Sequence, residues 1–223
     1  MAEKFSNFVL NNRKIFILII LVYTAFMAYK ALDVKYNYDF SQTVPDTDEE
    51  MIYYNSFKKT FGEDGNVLAI GLKDSSVFLI DKLKLYDNYI EEIQKVYGVK
   101  GVLGLSKLQV LKKNNQNKNF NFIDIFDPFP NDQQTYDSLL EVINNEKFYE
   151  GKILNDEGAL TLLITIDKNI LNSESRNKLM LDLIEKSEEF QSEANIKLHY
   201  AGLPYSRYIL AESVKKELTR LLL

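Results

Sequence analysis

The sequence of 223 residues contains no cysteine, no tryptophan and a single histidine, His199. The lack of cysteine excludes disulfides, iron–sulfur clusters and thiol nucleophiles, and one histidine is too few for a histidine-rich metal site. Ser173 and Ser206 have no G-x-S-x-G context, and the glycine spacing at 98–104 departs from the dinucleotide-binding fingerprint. We therefore expect neither a cofactor nor a metal, and we predict that the chain is not an enzyme.

Basic residues are fewer than acidic ones: 27 Lys and Arg stand against 32 Asp and Glu, which gives a net charge of -5. Nucleic-acid binding requires Lys and Arg clustered on one face. The nearest candidates, Lys112, Lys113 and Lys118, lie among asparagines and are interpreted as part of a solvated loop. Nucleic acid is therefore excluded as a partner, whereas 46% apolar and 26% charged residues are typical of a folded domain.

Long apolar runs are absent except for one, residues 15–32, where the sequence IFILIILVYTAFMAYKAL carries a single charge on Lys30. As a helix this run is about 27 Å long, close to the roughly 30 Å hydrocarbon core of a bilayer. The alternatives are a buried core helix and a cleaved signal peptide, but the run is long for a signal and lacks a small-residue cleavage site. The sequence thus predicts a transmembrane helix at 15–32.

The charges around this run predict its orientation. Residues 1–14 have three basic side chains and one acidic one, a net of +2, and Lys30 adds +1, so the total of -5 leaves -8 for residues 33–223. Because Lys and Arg favour the cytoplasmic side of a membrane, we expect a cytoplasmic N-terminus at 1–14. We likewise expect an inner-membrane location, with an extracytoplasmic, periplasmic domain at 33–203.

Two similar orders of elements follow along the chain. A helix with apolar residues at Met51, Tyr54, Phe57 and Phe61 comes first. The first half of the remaining domain has a predicted strand at 66–72, a helix at 79–97 and a strand at 98–106. The second half has the same order, with a strand at 159–167, a helix at 173–190 and a strand at 195–202. This order predicts an α+β fold: a ferredoxin-like, split β-α-β domain of the porter type with a mixed sheet and helices on one face.

Between the two halves, residues 112–132 are interpreted as a loop, followed by a helix at 132–145 and a β-hairpin around the turn 155–158. The loop contains the aromatic sequence FNFIDIFDPFP. Exposed apolar patches contact ligands or lipid, which makes four rings candidate contacts to a substrate or a membrane: Phe120, Phe122, Phe126 and Phe129. The alternative is that these rings fill the core.

The last segment, 204–223, opens with Pro204, which favours the first turn of a helix, and ends on three leucines. It is interpreted as the start of a second membrane-directed helix. Its apolar end favours a chain that continues into a longer polypeptide.

Several short motifs in this order carry a resemblance to a known family. They are Asp39-Phe40 and Pro45-Asp46 after the first apolar run, Phe61-Gly62 before an acidic pair and a strand, and Gly202 to Pro204 before the last helix. Together with the hairpin sequence at 148–167, they make nearly the whole chain resemble the N-terminal portion of a resistance-nodulation-division exporter of the MMPL type, the branch related to Patched.

This resemblance implies a porter domain that passes lipid or other hydrophobic substrates for efflux, in a full-length protein driven by the proton gradient. No position in the sequence matches the family's proton relay, which lies in a later membrane helix. The implied partners are membrane lipids, a hydrophobic or lipid-like substrate, the remainder of the transporter chain and a second copy in a homo-oligomer. The alternative function is a single-pass anchored extracytoplasmic module for binding or assembly, without transport activity.

Overall fold

The computed structural model describes residues 8, 10–31, 44–45, 47–62, 65–114, 119–149, 151–155 and 157–221. The chain divides into two units, 1–41 and 42–223, which are taken separately below. Asp39, Phe40 and Asp46, on which part of the family resemblance rests, lie outside the described residues.

The first unit contains helix α1, Arg13–Ala31, whose apolar side chains are exposed. Arg13 and Lys14 lie in its first turn and Lys30 in its last, so its nineteen residues are charged at both ends. Among the described residues, no helix combines the length and the apolar character that crossing a membrane requires. This finding contradicts the transmembrane helix predicted at 15–32. The predicted inner-membrane location and orientation, which were derived from that helix, are corrected with it.

The second unit alternates helices and strands. Its α-helices are α2 Glu49–Phe61, α3 Ile80–Lys95, α4 Gln133–Asn144, α5 Lys168–Leu171, α6 Ser175–Ala194 and α7 Leu203–Leu221. Its strands are β1 Val67–Leu72, β2 Val99–Leu103, β3 Gln109–Asn114, β4 Asn119–Asp124, β5 Leu160–Ile166 and β6 Leu198–Ala201. Short 3-10 helices cover Ser75–Phe78 and Leu105–Lys107.

Four of these strands form one sheet in the order β2-β5-β1-β6, and every neighbouring pair in it is antiparallel. The two β-α-β motifs, β1-α3-β2 and β5-α6-β6, interleave in this sheet. Strand β5 lies between β1 and β2, and strand β1 lies between β5 and β6. The predicted mixed sheet is therefore wrong. The two strands of each β-α-β motif are parallel to each other. They are not neighbours, because an antiparallel strand of the other motif lies between them.

The core lies on one face of this sheet. Burial alternates along β1 and β5, where Leu68, Ile70, Leu162 and Ile164 are buried, as expected for strands with one covered face. Helices α3 and α6 bury their apolar stripes and contact each other, and the rings of Tyr89 and Phe190 stack with centroids 4.6 Å apart.

Strands β3 and β4 pair as a separate two-stranded hairpin, with Leu111 opposite Phe122 and Lys113 opposite Phe120. This corrects the predicted loop at 112–132. The many asparagines of this stretch are poor strand formers, but the alternation of Phe120 and Phe122 has the period of two that a strand requires.

The hairpin predicted around the turn 155–158 is reduced to a single bridge. Leu154 pairs with Leu160, and the Thr161 N–H donates to the carbonyl of Ile153 at 2.7 Å. The preceding residues form turns, because Gly151 has a φ of 69°, a conformation that ends extended backbone.

Candidate functional site

The four candidate phenylalanines separate into two pairs with different surroundings. Phe120 and Phe122 lie on β4 with 61% and 71% of their surface exposed. Directly opposite residues of an antiparallel pair lie on the same face, so Leu111, itself 54% exposed, lies beside Phe122. One face of the hairpin thus presents three large apolar side chains to solvent.

Phe126 and Phe129 instead belong to the core. Phe126 is buried and its ring centroid lies 6.2 Å from that of Tyr136 on α4 and 6.4 Å from that of Phe129. Burial raises the pKa of the Tyr136 phenol, so this group stays neutral. The two rings therefore hold α4 against the domain, and the four phenylalanines do not form one surface.

Helix α4 is fixed at its N-terminus by two side chains. Asp132 caps it by accepting from the N–H of Thr135 at 2.9 Å, and this hydrogen bond lowers the pKa of the Asp132 carboxyl. The Gln133 side chain accepts from the N–H of Ile80 and donates to the carbonyl of Phe78, both at 2.8 Å. These contacts tie α4 to the chain just before α3 and thereby position Phe78.

A groove of about 510 Å³ lies where α4 meets the turns before β5. Its main lining residues are Phe78, Leu140, Ile143, Asn144, Tyr149 and Leu154. No lining residue described there carries a charge, and its polar groups are two asparagine amides and one phenol. A concave site of this size, lined by apolar side chains together with neutral amide and phenol groups, fits an uncharged ligand that is partly apolar.

Tyr149 connects this groove to the base of the hairpin. Its hydroxyl donates to the carbonyl oxygen of Gln109 at 2.6 Å and accepts from the N–H of the same residue at 3.1 Å. The phenol thus makes the two backbone hydrogen bonds that a neighbouring strand would otherwise make with Gln109, the first residue of β3. No local sequence pattern marks Tyr149, because its contact joins residues forty positions apart.

Replacing Tyr149 with phenylalanine should leave both backbone groups of Gln109 without this partner. We expect the free energy of unfolding to fall by about 1 kcal/mol, because Gln109 is exposed and water replaces part of the loss. Urea unfolding measures the change. Amide hydrogen exchange should speed up more at Gln109 than at Ile70 in β1, whose exchange follows only the global loss of stability.

The remaining motif residues lie at two separate places. Pro45 and Phe61 are exposed, and Gly62 ends α2 with a φ of 85°, its N–H bonded to the carbonyl of Lys58 at 2.9 Å. Gly202 and the buried Pro204 form the corner from β6 into α7, against the start of β1. These residues therefore shape the chain and do not line the groove.

Acidic side chains do not gather into a metal site in the described part of the chain. No group of three or more His, Asp or Glu residues there is placed to hold a metal ion. His199 lies in β6 and is exposed.

Comparison with known proteins yields no matching family model for this chain. No curated protein matches its sequence either.

Proposed function

We propose that the unit 42–223 is a porter-type domain that binds hydrophobic or lipid-like compounds, in an exporter of the resistance-nodulation-division superfamily of the MMPL type. The observation that carries this proposal is the groove of about 510 Å³ between α4 and the turns before β5, whose described lining residues are all uncharged. The motif residues that resemble this family, Phe61-Gly62 and Gly202 to Pro204, support it from the sequence.

Binding in such a groove depends on apolar area removed from water, at about 25 cal/mol per Å². The partly buried Leu140 and Leu154 supply that area, and Phe78 adds an aromatic wall. The amides of Asn144 and Asn155 are the groups available to a ligand's polar end. Because none of the described residues that line the groove is charged, affinity should depend little on salt concentration.

In an exporter, such a domain selects the compound and passes it on, whereas proton flow through ionisable membrane residues supplies the energy. The exposed face formed by Leu111, Phe120 and Phe122 is a second apolar surface that a substrate or lipid can contact. The remainder of the exporter is the partner that would provide the path for transport.

The test is binding of the neutral fluorescent probe N-phenyl-1-naphthylamine to the full chain and to a variant with a filled groove. Leu140→Trp places a larger side chain in the groove from a partly buried position on α4. We expect the dissociation constant of the probe to rise at least tenfold, because the added ring occupies the volume that the probe needs.

Val142→Trp is the matched control, because Val142 lies on the same helix, is 43% exposed and does not line the groove. This variant should bind the probe as the unchanged protein does, and thermal unfolding should show both variants folded. Equal affinity of the Leu140→Trp and Val142→Trp variants, or no binding by the unchanged chain, would contradict the proposal.

A second candidate function is a module for binding or assembly without transport activity. The exposed apolar side chains of α2 favour it, because they form a surface suited to another protein and lie apart from the groove. It predicts that blocking the groove leaves the module's binding to its partner unchanged.

A further inference from the structure

Asn155 carries a polar group of the groove whose orientation is fixed by the fold. Its side-chain oxygen Oδ1 accepts from the N–H of Glu157 at 3.1 Å and from the N–H of Ala159 at 2.7 Å. An amide oxygen has two lone pairs, so both are used within the chain. The amide cannot be turned over either, because its NH2 group would then face two N–H donors. Asn155 therefore offers a ligand only the hydrogens of Nδ2.

Other polar groups on this wall of the groove have partners within the protein. The Asn155 N–H donates to the carbonyl oxygen of Ala159 at 3.1 Å, and the Asn155 carbonyl accepts from the N–H of Gly158 at 3.0 Å. The hydroxyl of Tyr149 makes hydrogen bonds to both backbone groups of Gln109. The Nδ2 hydrogens of Asn155 are thus the donor that this wall presents to a ligand.

The second amide of the groove, on Asn144, lies in a different setting. Asn144 is the last residue of α4, and it is exposed. An exposed amide can rotate to present either its oxygen or its nitrogen. Asn144 can therefore meet a donor or an acceptor equally well, whereas Asn155 can meet only an acceptor.

The turn that carries Asn155 borders the aromatic wall of the groove. A Cβ atom added at Gly158 would lie 4.0 Å from Cε2 of the Phe78 ring, at ordinary van der Waals distance. Leu154 lines the same wall directly before Asn155. A ligand that packs its apolar body against Phe78 and Leu154 thus lies beside the side chain of Asn155.

We propose that Asn155 makes the groove selective for neutral apolar compounds that carry a hydrogen-bond acceptor, such as the carbonyl oxygen of an ester or a ketone. This inference rests on the proposed function, because it names the class of compound that the same groove binds. A carbonyl oxygen that accepts from Nδ2 regains the hydrogen bond that it loses to water on entering the groove. A compound whose polar group only donates finds no acceptor at Asn155, and burying its N–H weakens binding.

The experiment compares two neutral naphthalene probes of similar size by fluorescence titration of the full chain. Prodan carries a ketone oxygen and no N–H, whereas N-phenyl-1-naphthylamine carries an N–H and no carbonyl. Only the fluorescence that Leu140→Trp abolishes is counted, so that the exposed apolar side chains of α1 do not contribute. Leu140→Trp should weaken the binding of both probes, because it fills the volume that they share.

Asn155→Asp removes the donor and keeps the turn. The carboxylate still accepts from the N–H groups of Glu157 and Ala159, but it has no hydrogen for the prodan ketone, and it can accept from the N–H of the other probe. We expect the ratio of the two dissociation constants, prodan over N-phenyl-1-naphthylamine, to rise at least about fivefold, as for the loss of one hydrogen bond.

Asn144→Asp is the matched control, because it adds the same charge to the groove and leaves Asn155 in place. This variant should affect both probes alike, so the ratio of their dissociation constants should stay close to that of the unchanged chain. Thermal unfolding should show both aspartate variants folded.

The outcomes distinguish this inference from the proposed function. If both probes bind in the groove but Asn155→Asp leaves the ratio unchanged, or Asn144→Asp raises it as much, the selectivity assigned to Asn155 is wrong and groove binding stands. If the unchanged chain binds neither probe, the proposed groove function is wrong, and this inference is overturned with it.

Discussion

Phe126→Ala is expected to lower the free energy of unfolding by about 3–5 kcal/mol, the range for deleting a buried phenylalanine ring. Phe126 is 6% exposed and packs against Tyr136 and Phe129, so its removal leaves a cavity beside α4. Phe122→Ala should change the stability by no more than about 0.5 kcal/mol, because that ring is 71% exposed. Urea unfolding of both variants, followed by circular dichroism, measures the difference.

The two variants also separate the roles of the two pairs of rings. Loss of Phe126 should loosen α4 and with it the groove, so probe binding should weaken together with stability. Loss of Phe122 should leave groove binding unchanged. Equal and small losses of stability in both variants would show that Phe126 is not a core residue.

Gly202→Ala is expected to destabilise the protein by about 3 kcal/mol or more. Gly202 has a φ of 107°, which L side chains rarely adopt, and a methyl group there would overlap the carbonyl oxygen of Val67. Backbone cannot move aside as a flexible side chain can, so the corner between β6 and α7 must shift away from β1. Thermal unfolding should show a large decrease in the midpoint.

Gly101→Ala is the control for this substitution. Gly101 also lies in the sheet, but it has no positive φ and no atom within 4 Å of an added methyl group. Its replacement should alter the stability by less than about 1 kcal/mol in either direction. Equal unfolding midpoints of the two alanine variants would contradict the close approach of Gly202 to the carbonyl oxygen of Val67.

Elements with a strong local period could be predicted from the sequence. The helix predicted at 79–97 carries an apolar stripe of Leu79, Leu83, Tyr86, Ile90, Ile93 and Tyr97. Its four middle members are fully buried, whereas Leu79 is 53% exposed at the N-cap of α3. The ends of that helix were less predictable. The stripe was extended to Tyr97, which is 76% exposed, because the helix ends at Lys95 and the chain turns at Gly98 with a φ of 100°.

The sheet order and the site could not be obtained in the same way, because periodicity is a local signal. Which strand lies beside β1 depends on residues about a hundred positions away, as in the pairing of Val67 with Thr165. The groove likewise depends on residues far apart in the sequence, because Phe78 lines it together with Leu140 and Leu154. The sequence predicts one group of four phenylalanines. The strand that directs Phe120 and Phe122 outward ends at Asp124, however, so Phe126 and Phe129 follow a different backbone path.

The first apolar run shows how composition alone misleads. Residues 15–32 matched a bilayer in length, but the helix begins at Arg13 and includes Lys14 and Lys30. Arg13 and Lys14, which the sequence places in the flank 1–14, therefore belong to the helix itself, as Lys30 does.

The interleaved strand order also determines when the domain can assemble during its synthesis. Every pairing within the four-stranded sheet involves β5 or β6, so β1 and β2 have no partner in that sheet until Leu160 and the residues after it have left the ribosome. Until then the nascent chain can form its helices and the β3–β4 hairpin, while the apolar faces of β1 and α3 stay uncovered. Such late, long-range pairing is slow and exposes the chain to aggregation. We therefore expect this protein to depend most on chaperones before β5 has emerged from the ribosome.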